Sequence, residues 1–182
     1  FRNSVYICAN AVADKAASVG YRVNWVRDGK SGPYREHVRT SHPLYGLLQE
    51  PQPRKTFFDL MYDLSLWLQL CGDTYTRKHR NCFSIPDRLE TFSPQWVQAV
   101  PGMETYTDSY RVNTLYLGAQ SYDIRANDMI HVQRRNPDQS STRRFYGLSV
   151  CLATESTIQL EQDMYNRLRH KATNFAKPGL IF

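Results

Sequence analysis

The chain has 182 residues, 41% of them hydrophobic and 13% aromatic, which is enough apolar material to bury the core of one domain and too much for a disordered chain. Lys plus Arg number 23 against 17 Asp plus Glu, a formal net charge of +6 that suits an anionic partner such as nucleic acid without requiring one. No apolar stretch reaches the roughly 18 residues of a membrane-spanning helix, because Ser65 and Gln69 interrupt the longest, so a soluble chain is expected.

Val5, Cys8, Ala9, Val12, Ala13 and Ala16 recur at helical spacing, and Gly20 ends that helix ahead of an alternating strand, Tyr21, Val23, Trp25. Residues 27–41 are charged and carry Gly29, Gly32 and Pro33, which reads as an exposed loop. Pro43, Pro51 and Pro53 bias their neighbours away from helix, so residues 42–55 are expected to run extended with a tight turn. Thr56 with Asp59 three positions on forms a capping-box pattern. Phe57, Leu60, Met61, Leu64, Trp67, Leu68 and Cys71 then recur at three- and four-residue steps on one face of a helix about 22 Å long. Gly72 stops it and a strand follows from Thr74 to Lys78.

Leu89 and Phe92 precede Pro94, after which Trp96 to Val100 alternate as a strand. Val112 to Leu117 reads as another, ended by Gly118. Met129 to Val132 reads as a half-buried strand on its β-branched and apolar content, and the polar, arginine-bearing stretch that follows reads as a mobile loop. The last long helix starts near Ser149. Its stripe is Ala153, Thr157, Leu160, Met164, Leu168, Ala172 and Phe175, with Glu155, Glu161 and Asp163 in the first half and Arg167, Arg169, Lys171 and Lys177 in the second. That segregation matches the helix dipole and allows an Asp163–Arg167 pair worth about 0.3 kcal/mol. Helices and strands alternate in no regular βαβ order, so the fold class is α+β, with mixed short-strand sheets packed with long helices in one domain over residues 1–182.

No catalytic constellation emerges. Cys8, Cys71, Cys82 and Cys151 show no paired spacing and read as reduced core residues of a protein made inside the cell. A zinc site drawn from Cys71, His79 and Cys82 lacks a fourth ligand and a common spacing. The histidines His37, His42, His79, His131 and His170 are dispersed, and His131 reads as a hydrogen-bonded sheet residue before a general base. Ser149 follows Gly147 without the second glycine of a nucleophile elbow and reads as a helix cap. Asp59 and Asp63, four apart, could hold a cation, against which stands a solvated helix surface. There is no Gly-rich loop ending in Gly-Lys-Ser/Thr, so no P-loop motor is expected. Neither a cofactor nor a metal is expected.

Several segments together resemble one family. HPLYGLLQEPQP from His42, Leu64 to Trp67, CGDTY from Cys71, RLETFSPQWVQAV from Arg88, DMIHV from Asp128 and YGLSVCLATESTIQL from Tyr146 resemble, in order, the signature of portal proteins of tailed bacteriophages, the head-tail connectors of the siphovirus type. Val150 stands where the family usually places proline, and NFAKPGLIF is a compressed version of the family's next turn. The resemblance covers most of residues 5–182 and corresponds to the N-terminal wing region. The family's stem, clip and crown have no counterpart here.

The resemblance implies a non-enzymatic structural subunit of a ring, usually of twelve copies, at one capsid vertex. Double-stranded DNA would pass through the ring in packaging and ejection, and the terminase that packages it and head and tail proteins would dock on it. It also implies a virion location after synthesis in the cytoplasm of a bacterial host. Two basic groups are candidates for DNA phosphates or for a neighbouring subunit: Arg134, Arg135, Arg143 and Arg144 around the loop, and Arg167, Arg169 and Lys171 with His170 at one helix end. For the second group subunit contact is the favoured reading. The competing readings are a stand-alone basic α+β nucleic-acid-binding module stacking bases on Tyr106, Tyr110, Tyr116 and Tyr122, and a nucleotide-processing enzyme with an unrecognised site.

Overall fold

The structure, a computed structural model of the chain, describes residues 3–29, 32–102, 106–113, 121–137 and 143–174. Helix α1 (Asn3–Ala17) packs against helix α3 (Phe57–Leu70) through an alanine face: Ala9, Ala13 and Ala17, four apart, are buried. Their small side chains let the two helices approach, and the Tyr62 hydroxyl donates to Asn10 Oδ1 across the contact. The predicted apolar stripe of α1 is wider than this covered face, so Cys8 and Val12 remain exposed and Val5 half-buried.

The α3 capping box forms as expected. Asp59 N–H donates to Thr56 Oγ1 at 3.3 Å, and the Asp59 carboxylate accepts from the Thr56 N–H at 2.7 Å. That backbone bond, with the Thr56 hydroxyl second, holds the Asp59 carboxyl below its ordinary value of 3.8. A depressed folded pKa adds stability that is fully present above the ordinary value and is lost as pH falls through the folded one. Thr56→Ala is therefore expected to cost about 1 kcal/mol at pH 7 and less than that near pH 2, as read by urea unfolding at the two pH values.

Two sequence expectations are corrected. Residues 43–49 form a short helix, α2 (Pro43–Gln49), in place of extended chain: Pro43 occupies the first helical position, where its missing N–H costs nothing, and His42 Nδ1 accepts from Leu44 N–H. The tight turn follows, with Lys55 N–H bonded to Gln52 C=O and Arg54 at φ 67°. The expected loop at 27–41 contains an antiparallel hairpin of β1 (Asn24–Gly29) and β2 (Gly32–His37), registered from Asn24 opposite His37 to Gly29 opposite Gly32. The glycines that read as loop punctuation bracket its connection, and the strand predicted from Tyr21 begins three residues later.

Two three-stranded antiparallel sheets form the centre. In one, β3 (Asp73–Arg80) lies between β4 (Pro86–Phe92) and β8 (Met129–Gln133). In the other, β6 (Ser109–Val112) lies between β5 (Val97–Val100) and β7 (Tyr122–Arg125). Tyr75, Phe92 and Met129 of the first meet Val97, Ala99, Tyr110, Val112 and Ile124 of the second, with Phe145 closing the core. Strand alternation places them: Val97 and Ala99 are buried while Gln98 between them is exposed. The strand at 109–112 shares Val112 with the one predicted at Val112–Leu117, and 114–120 lie outside the described residues.

The final helix is two. Ser149 caps α4 (Val150–Ala153), Thr154 interrupts, and α5 (Glu155–Asn174) continues. Valine in place of proline does not prevent the start, because the Ser149 hydroxyl satisfies the first free N–H groups. The Asp163–Arg167 pair that the sequence allows is not closed; the ion pairs of the described residues lie elsewhere. No described helix is long and apolar enough to cross a membrane.

Candidate functional site

The corner between α3 and β3 interlocks with the stretch before α4, and the two motifs CGDTY and GLS are what interlock. Gly72 sits at φ 82° in the left-handed region, and its carbonyl accepts from Arg134 N–H at 2.8 Å. The buried Asp73 carboxylate accepts the Gly147 N–H at 2.8 and 2.9 Å on its two oxygens, and His131 Nε2 lies 2.8 Å from it. A carboxylate can only accept, so Nε2 carries the proton. Ser149 Oγ donates to the Leu70 carbonyl at 2.6 Å while accepting from Cys151 and Leu152 N–H. This one hydroxyl thus ties the C-terminus of α3 to the N-terminus of α4. The arginine loop and α5 both leave from this crossing, which therefore sets where the charged surfaces stand.

His131 is a hydrogen-bonded sheet residue, as expected. It stacks on Tyr75 at 4.4 Å and its Nδ1 lies 3.3 Å from the Tyr110 hydroxyl. Burial is the main cause pushing the Tyr75 and Tyr110 phenols up from their ordinary value. Asp59 and Asp63 are each engaged at the start of α3, Asp59 in the cap and Asp63 with Lys55 at 2.6 Å, in place of a bare solvated pair. Cys71 ends α3, ahead of β3, and His79 stands near the far end of that strand, about 20 Å beyond Asp73 at strand rise. His79 is instead held between Glu90 at 2.7 Å and Arg88 at 3.2 Å. Among the described residues no three metal-binding side chains cluster. The cysteines are free, but Cys8 and Cys82 are exposed and Cys71 and Cys151 half-buried, so they are not the core residues that were expected.

The basic candidates separate into different surfaces. Gln133 Nε2 donates to the Arg144 carbonyl at 3.3 Å and Asn136 Nδ2 to the Tyr146 carbonyl at 3.0 Å, so the ends of the arginine loop are pinned together. Arg134 and Arg135 are exposed, and Arg134 reaches Gln69 at 3.2 Å. Arg144 lies over the Phe145 and Tyr106 rings at 4.8 and 5.8 Å. The Arg143 side chain and residues 138–142 lie outside the described part. Arg167 and Lys171, four apart, share one face of α5, whereas Arg169 points to another; all three are exposed.

The sequence reading missed a third basic surface. Lys78, Arg80 and Arg125 converge on Asp128, whose carboxyl is held below its ordinary value chiefly by the Arg80 hydrogen bond of 2.6 Å. Arg77 lies over the Tyr122 ring at 5.8 Å. The run RKHR at 77–80 was the available signal. The base-stacking role weighed for four tyrosines is corrected for Tyr110, which is buried in the core. Tyr106 packs on Phe145 at 4.7 Å and Tyr122 under Arg77. Tyr116 lies outside the described residues.

The family profile described as "Phage portal protein" matches residues 3–182. No curated protein matches by sequence. Among solved structures, the neck of a native gene transfer agent particle computed with C12 symmetry superposes with TM-score 0.75 at 16% identity, covering 97% of this chain and 43% of that one. The neck of an empty particle computed with C6 symmetry gives 0.71 at 18%, covering 99% and 45%. An HK97-family phage portal protein from Corynebacterium diphtheriae gives 0.54 at 13%, covering 97% and 48%. The shared feature at these identities is the α+β fold, and the chain spans less than half the length of each of these structures.

Proposed function

The chain belongs to the phage portal protein family, and from that premise we propose that it is the wing part of a portal subunit, one of a ring of copies at a capsid vertex through which double-stranded DNA passes. The observation that carries this reading is the profile match across residues 3–182, and the fold shared with a C12-symmetric neck supports it. The protein acts by binding and gating, while a separate terminase supplies the force and head and tail proteins dock on the ring. Its place is the virion, after synthesis in a bacterial host.

In this role Arg134, Arg135, Arg143 and Arg144 meet DNA phosphates or a neighbouring subunit, and Arg167, Arg169 and Lys171 meet a neighbouring subunit. A channel requires weak contacts that ignore base sequence, since tight or base-specific binding would halt translocation. Affinity for duplex DNA is therefore expected to be independent of sequence and to fall with salt at a log-log slope of about −0.9 per phosphate neutralised. Charge reversal, Arg143→Glu with Arg144→Glu, is expected to flatten that slope by about two units if the loop faces DNA. An unchanged slope removes the loop from DNA contact. Electron microscopy of particles carrying the labelled chain tests the whole reading: label at a single capsid vertex is expected. Label spread over the particle surface, or a chain that acts as a monomer gripping single-stranded DNA with submicromolar affinity, would replace it with the nucleic-acid-binding module.

A further inference from the structure

The crossing of α3 and α4 also brings two thiols together. Cys71 is the residue on which α3 ends, and Cys151 is the second residue of α4. One hydroxyl stands between their backbones: Ser149 Oγ donates to the carbonyl of Leu70, the residue before Cys71, at 2.6 Å and accepts the Cys151 N–H at 3.0 Å. On the other side of Cys71 the chains touch directly, since a methyl group on Gly72 would stand 2.6 Å from the Leu148 carbonyl carbon and 2.7 Å from the Ser149 nitrogen. Burial is the main cause pushing the Cys71 thiol up from its ordinary value of 9.0, followed by the Asp73 carboxylate and then by the Cys151 thiol itself, so the two sulfurs lie within electrostatic reach of each other. Both are half-buried and free.

Their surroundings differ in a way that gives each a role. Cys151 lines an apolar groove of about 360 Å³ between α1 and the start of α4 and α5, with Val5, Cys8 and Val12 on the α1 wall, so a small molecule can reach its sulfur. Cys71 lies off that groove, and burial holds its thiol protonated. It is the poorer first nucleophile.

We propose that Cys71 and Cys151 are a redox pair that closes into an intramolecular disulfide by exchange with a small-molecule disulfide of the glutathione class, stapling the end of α3 to the start of α4. The Cys151 thiolate attacks one sulfur of the small disulfide, whose S–S bond breaks and releases one small thiol. Cys71 sulfur then attacks Cys151 Sγ in the mixed disulfide and expels the second. Two protein thiols are oxidised, one small disulfide is reduced, and the two protons leave on the released thiols. The bond joins residues 80 apart in sequence, a long loop of the kind whose closure stabilises most.

What leaves the crossing gives the staple its effect. α5 extends about 30 Å from it, and the apolar ridge of that helix, Leu160, Met164 and Leu168, is exposed, so the crossing is the main support that sets its direction. Hydrogen bonds let such a junction open locally, whereas a disulfide does not. The proposal rests on the portal reading only for where an oxidant is met: a subunit made in a reducing cytoplasm and carried in a particle leaves that compartment.

The test uses the whole chain, reduced and then treated with oxidised glutathione. Peptide mapping without reductant is expected to find Cys71 joined to Cys151 at a yield independent of protein concentration. The melting temperature is expected to rise by about 10 °C, reversibly on adding dithiothreitol, with hydrogen exchange slowed at 150–158 more than in β5–β7. Cys71→Ser is expected to trap one glutathione on Cys151, Cys151→Ser to leave Cys71 as a thiol, and Cys8→Ser to change neither result. The peptide map of the parent decides even where a variant is unstable. Cys151 joined to Cys8, glutathione remaining on Cys151 of the parent, links only between chains, or thiols that stay reduced would each overturn the pair. None of these outcomes touches the portal reading, which label at the capsid vertex decides separately.

Discussion

Gly147→Ala is expected to destabilise the protein by about 3 kcal/mol or more, a large share of the roughly 5–15 kcal/mol that holds a domain together. The added Cβ would stand 1.9 Å from the Gly72 carbonyl oxygen, 2.7 Å from the Gly72 carbonyl carbon and 2.9 Å from the Arg134 N–H nitrogen. All three are backbone atoms, so no side chain can swing aside. Gly72 cannot retreat, since it is held in the left-handed region and its carbonyl is bonded to Arg134. Relief has to come from separating the α3–β3 corner from the stretch before α4, which breaks the Asp73 and Ser149 bonds together. Gly20→Ala is the matched control. A methyl group there meets nothing within 4 Å, and the change is expected to stay within about 0.5 kcal/mol. Thermal unfolding of both variants beside the parent reads the difference, and equal melting temperatures would show that the crossing is not tight.

Asp73→Ala is the second large effect, at about 2–4 kcal/mol. The side chain is 5% exposed, and its carboxylate is the acceptor for the Gly147 N–H and for His131 Nε2 at once. Removing it leaves two half-buried donors without their shared acceptor. A double-mutant cycle with His131→Phe separates the two partners: a coupling near zero would mean that the Gly147 bond alone accounts for the loss. Loss of this carboxylate is also expected to loosen α5 relative to the sheets, as read by faster hydrogen exchange at 150–158 with β5–β7 unchanged. Equal acceleration everywhere would instead mark global destabilisation.

Local signals were read well from the residues alone. Thr56 and Asp59 announced the α3 cap because that interaction closes within three residues, and Gly72 announced its end because a left-handed residue is needed there. Ser149 was legible as a cap for the same reason. The alternation at Trp96–Val100 and the β-branched, apolar run Met129–Val132 placed strands where β5 and β8 stand. Pro43 misled, because proline is both a helix breaker and a good first helical residue, and only the His42 cap decides between them. Of the β1–β2 hairpin the first strand was anticipated by the alternation Tyr21, Val23, Trp25, whereas β2 was missed because it is short and charged and its residues Tyr34–His37 are exposed, so it carries no burial pattern.

The candidate surfaces were harder. Arg134, Arg135 and Arg144 are neighbours in sequence and stay near one another because the loop ends are pinned by Gln133 and Asn136. Lys78, Arg80 and Arg125 come from strands far apart in sequence and converge only because β3 and β7 approach Asp128. The stripe on α1 was visible, but its division into an alanine face under α3 and an open groove wall was not.

What the amino-acid sequence determined by itself was the family, the α+β class, the caps and stops of the long helices, and the absence of a P-loop pattern. The caps, the stops and the missing P-loop pattern rest on residue types within a few positions of one another, where local geometry does the deciding, and the family and fold class on the order of such local patterns along the chain. The tertiary structure alone decided that CGDTY and GLS are two halves of one crossing, that Asp73 and His131 are partners 58 residues apart, and that the ridge of α5 stands uncovered. Such facts depend on which distant segments meet. A single sequence records the chemistry of each surface but not the surface that will face it.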